Sequence, residues 1–352
     1  MSRASRARRV AAAAAFGGGG LAGLGAAGVG VLLAEARVAR RHIGTPFGLQ
    51  GPDCGGVYGA GAGEPVQMAM LGDSSAAGLG VERPEEAPGA VIAAGLAALT
   101  GRPVRLHQLA EVGAETRQLD GQVDRFLAAT PTPSAAVIMI GANDVTHRIK
   151  PTESVRSLAA AVTRLREAGA VVVVGTCPDL GTIEPIPQPL RWLARRWSRE
   201  MAAAQTIGVV EAGGRTVSLG DLLGEEFATR PQVMFSADRF HPSGAGYARA
   251  AAALLPSVCA ALGVLPAGED RVPDLRLGEG VDDVAHAAAR AVAVPGTEVT
   301  ATEVAGAARG PRGRWAVLLH RVRAPLPALP RVGRREDGTP PEDGAHENLA
   351  EA

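Results

Sequence analysis

Five residues scattered along the chain have the types and neighbours that acyl transfer needs: Ser74, Gly113, Asn143, Asp238 and His241. A serine hydroxyl is a poor nucleophile until a base takes its proton. Imidazole is the side chain suited to that exchange near neutrality, so His241 is the candidate base. Asp238, three residues earlier, can hold the ring in one tautomer and favour its charged form. His241 precedes Pro242, and a residue before proline is pushed to extended backbone, so His241 should project from a loop. The negative oxygen that develops during attack needs preorganised donors. The Ser74 N–H, the Gly113 N–H and the Asn143 side-chain amide would supply three. Glycine at 113 would let the backbone approach the substrate with no side chain in the way. Asp73 and Asp144 read as supports for the serine and asparagine loops, not as proton carriers.

These residues fall in ordered blocks. Gly72-Asp73-Ser74 is followed four residues later by Gly78; Gly113 stands alone; then come Gly141-Ala142-Asn143-Asp144 and Asp238-Arg239-Phe240-His241-Pro242. In that order the sequence resembles the SGNH hydrolases, the GDSL esterase/lipase family, over residues 66–262. The resemblance implies a flavodoxin-like fold and hydrolysis of carboxylic esters, or other acylated small molecules, through an acyl-serine. It also implies neither a metal nor an organic cofactor. An alternative on the same scaffold removes or transfers O-acetyl groups on envelope polysaccharide. An alternative of another class is a catalytically inactive, membrane-bound binding module. The α/β-hydrolase elbow G-x-S-x-G is not matched, because Ser74 is flanked by Gly72 and Ala76.

Positioning such residues falls to an alternation of short apolar runs and helical patterns. Strands are expected at Val66–Leu71, Val104–Leu109, Ala135–Ile140, Ala170–Val174 and Ile207–Val210. Helices are expected at Ala87–Leu99, Thr116–Leu127, Thr152–Ala168, Leu190–Thr206 and Ser243–Leu262. Alternation with largely apolar strands means a parallel sheet covered on both faces. Right-handed crossovers make it an α/β fold, a three-layer α/β/α sandwich around a five-stranded parallel sheet. Sites in such sheets form beyond the carboxyl ends of the strands, where the blocks above lie. Within the fourth helix, Leu190, Trp192, Leu193 and Trp197 alternate with arginines. The expected arrangement packs that Trp/Leu face on the sheet and leaves the basic face in water. Cys177, after the fourth strand, is expected to be a buried inert thiol, and His147 a surface residue of the segment after Asn143.

Composition sets the remaining bounds. The 352 residues carry 36 basic and 36 acidic side chains, which excludes a nucleic-acid binder of the basic kind. Cys54, Cys177 and Cys259 are far apart, with no CxxC, so no structural zinc site is expected. Arg3, Arg6, Arg8 and Arg9 precede an uncharged run, Val10 to Ala34, that would reach about 37 Å as a helix. The favoured reading is a membrane anchor through residues 10–34, with the catalytic domain extracytoplasmic; a cleaved signal peptide and an ordinary Ala/Gly segment are the alternatives. Gly23 to Gly28 matches G-x-G-x-x-G, but no strand precedes it and no acid follows at the ribose distance, so dinucleotide binding is excluded. The division expected is an anchor or signal at 1–42, a linker at 43–64, the catalytic domain at 65–263 and a C-terminal extension at 264–352. In that extension a helix at Asp282–Val292, a short amphipathic element at Trp315–Val322 and disorder from Pro325 are expected.

Overall fold

Apolar runs too short for helices, but buried along most of their length, build the centre of the sheet. The computed structural model describes residues 28–264 and the two-residue strands at 298–299, 303–304 and 307–308. Strands β1 (Gly56–Tyr58), β2 (Val66–Gly72), β3 (Val104–Gln108), β4 (Ala135–Met139), β5 (Val171–Gly175), β6 (Arg215–Val217) and β7 (Glu298–Val299) form one sheet. Their order is β1-β3-β2-β4-β5-β6-β7. The run from β3 through β6 is the expected parallel set of five. Beyond it, β1 pairs antiparallel with β3 at one edge and β7 pairs parallel with β6 at the other.

Because side chains alternate across a strand, each buried strand serves two cores. Met68 and Met70 of β2 face one core with Val104, Val137 and Val173, and this core is closed by α2 (Pro88–Thr100) and α9 (Gly244–Ala261). Ala69 and Leu71 face the other with Ile138, Val172 and Val174. That side is covered by α3 (Leu119–Ala129), α5 (Pro151–Glu167) and the C-terminal half of α6 (Leu190–Glu211), through Phe126, Leu158, Leu165 and Val209. The result is a three-layer α/β/α sandwich. Among the described residues it is completed by α1 (28–43), α4 (Ala142–Thr146), α7 (Leu219–Thr229) and α8 (Pro231–Met234).

Three expectations need correction or a new setting. Ile207–Val210 is not a strand: it is the last turn of α6. Gln205, Gly208 and Val209 are buried there while Ile207 is 61% exposed, which is helical and not alternating periodicity. The fifth parallel strand is Arg215–Val217, after the Gly213-Gly214 break, and it carries too few apolar residues to stand out. The stretch 43–64 is not simply a linker, because β1 lies in it, Cys54 is buried and Tyr58 Oη donates to the Cys54 carbonyl at 2.6 Å. Of the Val10–Ala34 run, only 28–34 is described, and it opens helix α1. Among the described residues no helix is long and apolar enough to cross a membrane. The expected elements at Asp282–Val292 and Trp315–Val322, and the disorder from Pro325, lie outside the described residues.

Candidate active site

Ser74 stands two residues beyond the buried end of β2, in the turn that leaves the carboxyl edge of the sheet. Gly72 makes the turn possible: its φ is +135°, and a Cβ there would collide with the Met139 carbonyl. Its backbone is clamped by a buried side chain, with Gly72 N–H donating to Gln122 Oε1 at 2.7 Å and Gln122 Nε2 donating to the Gly72 carbonyl at 2.9 Å. Asp73, 2% exposed, accepts the Ser75 N–H at 2.9 Å. Burial pushes its carboxyl up to about 6, while the amide of Ser75 and the nearby His241 pull the other way.

His241 arrives on a tight loop between α8 and α9. Phe235 and Pro242 form an antiparallel bridge, and the Ser236 N–H donates to the His241 carbonyl at 2.8 Å. Arg239 at the tip has φ +56°, a left-handed conformation that non-glycine residues rarely adopt. The loop is organised from within by Asp238. Its Oδ1 accepts the Phe240 N–H, the His241 N–H and the Ser236 hydroxyl, each at 2.9 Å. Its Oδ2 lies 2.6 Å from His241 Nδ1. Burial alone would raise the Asp238 carboxyl, but the bonds from the His241 ring and the two amides outweigh it and hold the group below the usual carboxylate range. His241 Nε2 lies 3.1 Å from Ser74 Oγ. The structure therefore brings Ser74, His241 and Asp238 into one relay across 167 residues of chain.

Asn143 sits in α4, directly beyond β4, and borders the same cavity as Ser74 and His241. Its Nδ2 donates one hydrogen bond to the Ala114 carbonyl at 2.9 Å, which fixes the amide and joins it to the turn containing Gly113. Gly113 has φ +83°, so the glycine is required by backbone conformation, with open space where a Cβ would point. Gly113 does not line the Ser74 cavity; its link to the site is through Ala114. Asp144 turns away from the reacting atoms. Its Oδ2 accepts the Thr116 N–H and hydroxyl, both at 3.0 Å, and Ser154 donates to that hydroxyl at 2.9 Å. His147 is exposed and meets Glu115 Oε1 at 2.7 Å, a second tie between the two loops.

Several supports were not read from the sequence. Gln122 could have been noticed as the polar member of an otherwise apolar stripe, Leu119, Val123 and Phe126. Gln205 is its counterpart, donating from Nε2 to the Ile140 carbonyl at 3.0 Å and accepting the Cys177 N–H at 2.8 Å. Asp179 gathers Arg195 at 3.3 Å and Arg199 at 3.1 Å and caps the Leu180–Thr182 turn through the Gly181 N–H. Ser236 gave no signal at all. Cys177 is buried, and burial drives its thiol far above the ordinary range, which leaves it a poor nucleophile. The α6 face differs from expectation. Ala194, Ser198 and Met201 pack inward, Trp192 is 56% exposed, and Trp197 is half-buried.

Beside Ser74 opens a cavity of about 90 Å³. Its far wall is apolar, formed by Leu219, Leu223, Phe227, Phe235 and Ala250. Among the described residues no group of three or more His, Cys, Asp or Glu side chains is placed to hold a metal ion.

Known proteins share this pattern. A family model described as GDSL-like Lipase/Acylhydrolase matches residues 70–249. The GDSL-like esterase Rv1075c of Mycobacterium tuberculosis is 48% identical over 247 residues, 66% of this chain and 78% of the relative. The crystal structure of TesA covers 56% of this chain and 99% of its own at 22% identity, with a TM-score of 0.45. The psychrotrophic esterase EstA from Pseudoalteromonas sp. covers 53% of this chain and 93% of its own at 18% identity, with a TM-score of 0.43. With half the chain under the family model and a relative this similar, the chain belongs to the GDSL-like lipase/acylhydrolase family, the ester-hydrolysing serine enzymes that its sequence blocks resemble.

Proposed function

We propose that this enzyme hydrolyses carboxylic esters with Ser74 as nucleophile, His241 as general base and acid, and Asp238 as the group that orients His241. The observation that carries the reading is the continuous relay from Ser74 Oγ to His241 Nε2 at 3.1 Å and from His241 Nδ1 to Asp238 Oδ2 at 2.6 Å. Ser74 Oγ attacks the ester carbonyl carbon as its proton passes to Nε2. The carbonyl oxygen becomes negative, and the Ser74 amide and the free hydrogen of the Asn143 amide are the donors assigned to it, while the Gly113 turn holds the Asn143 amide through the Ala114 carbonyl. As the tetrahedral species collapses, the protonated imidazole gives its proton to the departing alcohol oxygen. Water then attacks the acyl-serine with His241 again accepting a proton, and the acid and free serine are released.

The apolar wall around the Ser74 cavity favours an apolar acyl group. Labelling tests the assignment directly. A fluorophosphonate should modify Ser74 and stop hydrolysis of nitrophenyl acetate, and Ser74→Ala should neither label nor turn over. Retained turnover in that folded variant removes Ser74 from the role.

Membrane tethering through residues 10–34, with the catalytic domain outside the cytoplasm, belongs to the same reading. It is supported by the uncharged run behind an arginine cluster and by Val29, Val31, Leu33 and Val38, all exposed on α1. After carbonate washing, the full chain should stay with membranes and a chain lacking residues 1–27 should not. Release of both rejects the tether.

A further inference from the structure

A second cavity, of about 610 Å³, lies between α1 and α6. Its walls include Leu32 and Ala36 from α1, and Ile186, Leu190 and Trp197 from the α6 side. Leu180, Ile183 and Phe240 line both this cavity and the smaller one at Ser74, so the two share a wall. We propose that the larger cavity receives the alcohol half of the substrate as an extended alkyl chain, which makes helix α1 part of the substrate site. The proposal rests on the ester reading above and adds to it the class of alcohol.

Size separates the two compartments. An apolar cavity of about 150 Å³ holds a molecule such as benzene. The space at Ser74 is smaller than that and suits a short acyl group. The outer space falls inside the usual range for small-molecule sites, about 300–1,000 Å³. Chemistry decides which half goes where. The imidazole must hand its proton to the departing alcohol oxygen, so the alcohol has to leave on the His241 side. Phe240 is there: its ring centroid is 4.8 Å from that of His241, in an edge-on arrangement, and it continues into the outer cavity.

Helix α1 is held in place to form this wall. Leu32, Ala36, Ala39 and Ile43 recur at helical spacing on its inner face, and Ala39 is buried. Glu35 Oε2 accepts the Leu190 N–H at 2.9 Å. Leu190 is the first residue of α6, where backbone N–H groups have no partner within the helix and the helix dipole favours a negative charge. Residues 28–43 thus dock at the start of α6 through a charge-assisted cap, and the apolar stripe faces the space that leads to Phe240.

The test uses the full chain and a series of n-alkyl acetates, ethyl through octyl, followed by acid release. The ratio of kcat/KM for octyl over ethyl acetate should be at least 10 in the parent enzyme, since each buried methylene favours transfer out of water. Ala36→Trp, which fills the cavity from the helix side, should lower that ratio at least tenfold. Glu35→Ala, which removes the cap without adding bulk, should lower it in the same direction if Ala36→Trp proves poorly folded. A ratio near 1 in the parent enzyme overturns the proposal, and so does an unchanged ratio in both variants. A loss confined to ethyl octanoate also overturns it, because the acyl half would then be the occupant. A cavity filled by another segment of the chain shows no length dependence and counts against it equally. Failure of the underlying reading looks different: no acetate is hydrolysed, or Ser74→Ala still hydrolyses all of them.

Discussion

Asp238 and His241 are joined twice, ring to carboxylate through Nδ1 and Oδ2 at 2.6 Å and backbone to carboxylate through the His241 N–H and Oδ1 at 2.9 Å. One carboxylate therefore shapes the loop and aims the ring it carries. Asp238→Asn can keep an oxygen for the amides but places an NH2 group or a neutral oxygen against Nδ1. The expected result is a fall in kcat of about 10⁴-fold from the wrong tautomer, with the fold retained. The lowered carboxyl also links to stability. Its contribution is present above the unfolded-state value and is lost as pH falls through the folded value, so the variant's deficit in Tm at pH 7 should shrink in acid. Steady-state kinetics and calorimetry across pH check both halves.

Asn143 is fixed by one of its two amide hydrogens, the bond to the Ala114 carbonyl. Asn143→Ala should lower kcat by about 10²–10³-fold while changing KM little, the pattern for a donor used mainly in the transition state. A rise in KM with unchanged kcat would place Asn143 in ground-state binding instead.

Asp73 is buried with its carboxyl raised to about 6 from an ordinary 3.8. A raised acid disfavours the folded state once it must ionise. The cost is absent below the unfolded value, grows between the two values and is complete above about 6. The difference of about two units corresponds to on the order of 3 kcal/mol. Asp73→Asn, which keeps an acceptor for the Ser75 N–H, should raise Tm by several degrees at pH 8 and by little at pH 4. An equal change at both pH values contradicts the sign.

Gln122 clamps the last residue of β2 from a helix 50 residues away. Gln122→Leu leaves the Gly72 N–H buried without a partner, although the Gly72 carbonyl keeps the Glu111 N–H at 3.1 Å. The expected cost is about 1–3 kcal/mol by urea unfolding, with a lower kcat because Ser74 lies two residues beyond the clamp.

Much of this was legible in the chain. Three of the five parallel strands, β2, β4 and β5, announce themselves as apolar runs closed by turn residues, because a strand buried on both faces has no polar side to dilute the signal, while β3 shows only the alternation of buried Val104 and Leu106 with exposed Arg105. β6 escaped because three residues containing an arginine and a threonine carry no such signal, while Ile207–Val210 imitates a strand inside a helix. Gln205 could not be read as a support, since its partners are backbone atoms of residues remote in sequence, and neither could Ser236, whose hydroxyl meets the Asp238 carboxylate only through the loop's own turn.

The sequence by itself determined the inventory: an alcohol, an imidazole, two kinds of supporting carboxylate and a side-chain amide, each at the end of a strand or ahead of the last helix. Local chemistry was enough for that, because glycine, proline and aspartate constrain the few residues around them. The tertiary structure alone decided that Ser74 and His241 meet at 3.1 Å, that Asp144 faces Thr116 and not Ser74, and that helix 28–43 borders a largely apolar space beside the site, rimmed by Arg40, His147 and Arg148. Those outcomes depend on how whole elements stack in three dimensions, and the periodicity of a segment shows which face is buried but not which distant segment covers it.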